Sequence, residues 1–143
     1  MNERPYVPSA VHGIRVKPCA RAVEEQVERL IAEALELDDG DRVAVEVVDG
    51  TDVLCLFVDQ EKVRAILTGL ASMGLIAGQA DLSHDLLLGR SCGAVYDGAL
   101  ARYRHLVDAF RRQHVTIDQV LDKISEQGYA ALDSVEREVL LNH

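Results

Sequence analysis

The chain has 143 residues, with 48% hydrophobic and 27% charged residues, which suits one soluble domain with one sizeable core. Surface scaling buries about 68% of the extended surface at this length, so no disulfide staple is needed. Twenty-four acidic residues face 15 basic ones, for a net charge of −9, with no Trp and 4% aromatics. That balance excludes a nucleic-acid binder driven by phosphate neutralisation, disfavours anionic membrane surfaces and weakens base stacking.

The first residues carry Pro5 and Pro8 but no apolar run after their charges, so they read as a flexible N-terminal arm and not as a signal peptide. A short strand is expected at Ile14-Arg15-Val16-Lys17, stopped by Pro18. From about Ala20 to Leu37, Val23, Val27, Leu30, Ile31, Ala34 and Leu37 form an amphipathic stripe, with glutamates elsewhere on the circumference. Asp38-Asp39-Gly40-Asp41 is the turn that ends this helix.

Val43, Val45 and Val47 share one face of a strand, Asp49-Gly50-Thr51-Asp52 supplies turn chemistry, and Val53 to Val58 is a continuous apolar run. A β-hairpin over about 42–58 follows, its second strand apolar on both faces and therefore the more central. Asp59 caps a helix to about Met73 with the stripe Val63, Ile66, Leu67 and Leu70. The uncharged stretch from Ala65 to Ala80 has 16 residues and is broken by polar residues and glycines, short of a membrane span. Residues 81–88 fit a short helix or a strand equally.

One long helix is expected from about Tyr96 to His114, with Leu100, Tyr103, Leu106, Val107 and Phe110 on its apolar face. Arg102, Arg104, Asp108, Arg111 and Arg112 fall on the other. Thr116 to Gln119 and Asp133 to Glu136 both have capping-box spacing, and Gly128 sits where a helix ends, so residues 115–143 form a helical hairpin. The fold class is α+β: an α+β domain over 1–114, and a C-terminal hairpin packed on it or appended to it.

Charge is uneven. Residues 20–62 hold 13 acidic and 4 basic side chains, whereas residues 63–114 hold 4 and 6. An anionic partner is thus admissible at the long helix and repelled by the first half.

Three constellations bear on chemistry. Gly89-Arg90-Ser91-Cys92-Gly93 matches the G-x-S-x-G nucleophile elbow, which needs a strained strand-to-helix turn, a histidine and an oxyanion hole. Ser91 or Cys92 with His84 or His105 would make a small hydrolase or thiol enzyme. His84, Asp85, Cys92 and His105 lack recognised zinc spacing, and no P-loop or dinucleotide motif is present, so neither metal nor cofactor is expected. The odd, unpaired set Cys19, Cys55 and Cys92 points to a cytoplasmic protein. A helix-turn-helix reading of the tail fails because its second helix sets Glu136 and Glu138 against Arg137 and Asn142.

Residues 116–140 resemble the short helical module at the cytosolic C-terminal tails of some bacterial rhomboid-family membrane proteins. The likeness rests on Val120-Leu121-Asp122-Lys123-Ile124, Gly128, Leu132, Glu136 and Leu140, and departs at Ala131 and Asp133. It implies an interaction or stabilising hairpin with no catalytic residues. The rhomboid membrane core has no counterpart, so protease activity is not implied. The function expected from these readings is a noncatalytic protein-interaction, adaptor or chaperone-like module, with homodimerisation one form of association. Its contact residues are Arg102, Arg104, Arg111, Arg112, Tyr129 and Leu132.

Overall fold

The computed structural model describes residues 10–35 and 42–142. The elements run β1 (Ala10–Val16), α1 (Arg21–Ala34), β2 (Val43–Val48), β3 (Thr51–Val58), α2 (Gln60–Ser72), β4 (Ile76–Asp81), α3 (Ser83–Leu87) and α4 (Ala94–Arg102). They continue with α5 (Arg104–His114), α6 (Ile117–Gln127), a 3-10 turn (Tyr129–Ala131) and α7 (Ser134–Leu141). The strands form one antiparallel sheet in the order β2-β3-β1-β4. This succession and order make the split βαβ, or ferredoxin-like, arrangement, an α+β fold.

Local chemistry builds the hairpin. Asp49 and Gly50 have φ of 51° and 77°, the positive pair that a two-residue type I′ turn requires. β3 is central, and only Asp52 along it is exposed. The period of two then sorts side chains into two cores. Ile14, Val16, Leu54, Leu56 and Val58 meet Val27 of α1 and Val63, Ile66 and Leu70 of α2. On the other face, Val11, Val53, Cys55 and Phe57 meet Leu86, Tyr96, Leu100, Val107 and Phe110. Both faces of the sheet are therefore covered.

Three sequence expectations need correction. The strand expected at 14–17 is Ala10–Val16 and lies centrally, between β3 and β4. Residues 1–9 of the expected arm, and the turn at 38–41, lie outside the described residues. A strand missing from the sequence reading, β4, follows Gly74 and pairs with β1, with a register shift between Arg15 and Val16. Ile76 is its one β-branched residue, so the ladder with β1 holds it where local propensity does not. The single long helix is two, broken at Tyr103 (φ −112°, ψ 42°). α4 packs on β2 and β3, and α5 on α3 and α7, so one continuous apolar pattern serves two supports.

The terminal hairpin forms with both expected capping boxes. Thr116 Oγ1 accepts from the Gln119 N–H at 3.2 Å, and Asp133 Oδ1 from the Glu136 N–H at 2.9 Å. Gly128 turns the chain at φ 86°. Val115, Val120 and Leu132 make a small third core. Ion pairs from Arg111 to Asp133 (2.6 Å) and Arg112 to Glu138 (2.9 Å) tie α7 to α5.

Candidate interaction surface

β2 is an edge strand, and the hairpin turn determines what its outer side presents. Val48 and Thr51 flank the two-residue turn and form its closing hydrogen-bonded pair, so hydrogen-bonded pairs recur at Glu46–Val53 and Ala44–Cys55. The backbone N–H and C=O groups of Val43, Val45 and Val47 consequently point away from β3. Among the described residues no strand pairs with them. The side chains of Val45 and Val47 are 44% and 63% exposed.

Beside this edge a groove of about 560 Å³ opens between α1 and the sheet. Val16, Val27, Ile31, Leu35, Val43, Val45 and Leu54 give it an apolar floor, whereas its charged lining is Glu24, Glu28 and Asp52. The carboxylates cluster at one end. Asp52 pairs in register with both Val47 and Val16, and α1 starts just beyond Val16, bringing in Glu24. Among the described residues, the lining toward Leu35 and Val43 is apolar. Cys19 sits at the acidic end, and desolvation together with Glu24 and Asp52 pushes its thiol pKa up. The volume is that of a ligand site, and the apolar floor with few polar groups is the usual composition. Val43, Val45 and Val47 were legible as one strand face. That this face borders an open edge depends on long-range sheet order and was not.

The expected contact residues divide. Arg102 is exposed and lies 3.8 Å from Glu46, Arg104 pairs with Asp108 at 3.1 Å, and Arg112 with Glu138 at 2.9 Å. Tyr129 is 53% exposed, with the Arg137 guanidinium 5.6 Å from its ring centroid. Arg111 and Leu132 are not surface residues, being only 2% and 4% exposed. Arg111 lies inward because α5 is covered by α7, whose Asp133 receives the charge.

The Gly89–Gly93 loop lines a smaller concavity of about 250 Å³ with Asp97 and Arg104. The Ser91 hydroxyl donates to the Asp97 carboxylate and accepts from the Gly93 N–H, and the Cys92 N–H donates to Asp97 Oδ1 at 2.8 Å. Asp97 thereby ties the loop to the first turns of α4. The Cys92 thiol lies 4.0 Å from the Leu82 carbonyl, and burial, then Asp97 and Asp85, push its pKa up to about 11. Burial likewise raises the Cys55 thiol to about 12. The structure joins neither Ser91 nor Cys92 to His84 or His105 by a hydrogen bond. His105 instead stacks at a tilt near Tyr103, with centroids 6.3 Å apart. Among the described residues no group of three or more His, Cys, Asp or Glu side chains is placed to hold a metal ion. Nor is any described helix long and apolar enough to cross a membrane.

No protein-family model matches the chain, and comparison with curated proteins and with solved structures finds no match.

Proposed function

We propose that this protein is a noncatalytic protein-interaction module, of the adaptor or chaperone-like kind, that docks its partner on the β2 edge and the adjoining groove. One observation carries the reading: Val45 and Val47 stand exposed on an edge strand, unpaired among the described residues, beside an apolar groove of about 560 Å³. Open edges with exposed apolar side chains are an association hazard unless a partner covers them, and strand addition is a common recognition mode. The three free thiols, none drawn down toward a reactive thiolate, suit a reducing cytoplasm. The likeness of residues 116–140 to the rhomboid-tail module fits a stabilising role for that hairpin.

Affinity purification from the native host, with quantitative mass spectrometry, tests the reading. Wild type, Val45→Lys, Val47→Lys and, as a control on the opposite side of the fold, Arg112→Glu are compared at equal loading. A partner retained by wild type and Arg112→Glu but lost from both edge variants is expected. Equal retention by the wild type and all three variants overturns the reading.

A further inference from the structure

We infer that the groove takes an extended segment of a partner protein, laid against β2 as a fifth strand and carrying a basic residue over Asp52 and Glu24 and apolar residues toward Leu35. This rests on the reading of the β2 edge as the docking surface and names what docks there.

The backbone supplies the first half of the recognition. Three residues at period two, Val43, Val45 and Val47, offer outward N–H and C=O groups over a run of about 13 Å. An incoming strand of five or six residues matches that run, and antiparallel pairing is the more stable choice. The other sheet edge, β4, exposes Ala77, Gln79 and Asp81, none of them a large apolar side chain.

The groove supplies the second half. Along one face of the added strand, side chains at i, i+2 and i+4 overlie Val47, Val45 and Val43 in turn. The first meets Asp52 and Glu24, with Glu28 one helical turn along α1, and among the described residues no Lys or Arg lines the groove. The later two lie beside Val45 and Val43 and face Ile31 of α1 across the groove. The complementary segment is therefore basic at i and apolar at i+2 and i+4.

A second copy of the chain fits poorly. Two β2 edges related by a two-fold axis run antiparallel, so the acidic end of each groove would lie over the apolar end of the other. That arrangement desolvates carboxylates without partners, between two molecules that each carry −9.

The test uses the full-length protein and seven-residue synthetic peptides in which threonine alternates with lysine, valine and isoleucine, in that order. A second peptide has glutamate in place of the lysine. Fluorescence anisotropy at 20 and 150 mM salt is expected to show the lysine peptide binding at least tenfold tighter than the glutamate peptide, the gap narrowing with salt. Asp52→Lys should reverse the preference, a rescue that loss of folding cannot imitate. Val45→Pro removes one outward N–H without touching the ladder to β3, and with Val47→Lys should abolish binding at an unchanged circular dichroism spectrum.

Equal affinity for both peptides, with binding still lost in the edge variants, overturns the charge assignment and leaves the docking surface standing. Binding unaffected by Val45→Pro and Val47→Lys overturns the surface itself. Failure of both peptides to bind overturns the inference, as does a dimer in sedimentation velocity that Val47→Lys dissociates, since a second copy would then be the occupant.

Discussion

The guanidinium of Arg111 and the carboxylate of Asp133 meet at 2.6 Å, and the same carboxylate caps α7 by accepting the Glu136 N–H. One oxygen neutralises a cation that is 2% exposed, while the other satisfies a helix end. The Nε and Nη2 groups of Arg111 have no hydrogen-bond partner, so its charge depends on this one contact. Asp133→Ala is expected to destabilise by about 2–3 kcal/mol, below the figure for a wholly buried pair because Asp133 remains 33% exposed. Asp133→Asn keeps the cap and isolates the charge. Urea denaturation at pH 7 should rank wild type above Asp133→Asn, and that above Asp133→Ala.

The same pair makes a pH prediction. Partial burial pushes the Asp133 pKa up, but the hydrogen bonds from Glu136 and Arg111 and the Arg111 charge outweigh it and hold the pKa below its usual value. A carboxyl with a lowered folded pKa contributes stability above its unfolded pKa of about 3.9 and loses it as pH falls through the folded value. The gap between wild type and Asp133→Asn should therefore be constant from pH 7 to about 5 and shrink under stronger acid. A gap that widens on acidification contradicts the assignment.

Gly13 sits under Tyr96. A Cβ there would lie 2.7 Å from Tyr96 Cδ1 and 2.8 Å from Cζ, too close for any rotamer adjustment confined to the ring edge. Tyr96 is 7% exposed and belongs to the core that joins α4 to the sheet. Gly13→Ala should lower stability by about 1–3 kcal/mol, the range for overpacking. Gly50→Ala has open space around its Cβ and costs only the left-handed turn, about 1 kcal/mol. Thermal melts of the two variants should separate in that order.

The fold was legible in the sequence where its causes were local. Asp49-Gly50, Thr116 to Gln119 and Asp133 to Glu136 carry their own hydrogen-bond chemistry within four residues, and each formed as expected. β4 did not reveal itself, because Ile76 to Asp81 is a strand only through β1, sixty or more residues away in sequence. The break at Tyr103 was invisible because the apolar spacing runs straight through it. At the candidate site, the valine face of β2 was readable. Its openness was not, since an edge is defined by the strand that is missing beside it. The inward turn of Arg111 was hidden for a related reason: helical spacing placed it among charged neighbours, and only the docking of α7 covers it.

The Thr116 cap can be isolated from the rest of the hairpin. Its hydroxyl and the Gln119 side chain satisfy two N–H groups at the start of α6, at 3.2 Å and 3.0 Å. Thr116→Ala should cost about 1 kcal/mol, and Thr116→Asn much less, because asparagine also caps. Hydrogen exchange should speed up in the first turn of α6 in the alanine variant, with the four-stranded sheet unaffected.

Cys92 discriminates between a structural and a reactive reading of the glycine loop. A nucleophilic cysteine needs its pKa drawn down by a cation, a histidine or a helix N-terminus. Here burial dominates, and Asp97 and Asp85 add to it, raising the thiol to about 11. At pH 8 its thiolate fraction is on the order of one in a thousand, against about one in four for an ordinary cysteine. Iodoacetamide should therefore label Cys92 in the native protein about two hundred times more slowly than a free thiol. Asp97→Asn should accelerate the reaction by removing one of the two negative charges. A native Cys92 that reacts at least as fast as a free thiol would show that the loop holds a cation or base beside the sulfur. That result would reinstate nucleophilic chemistry at Ser91-Cys92.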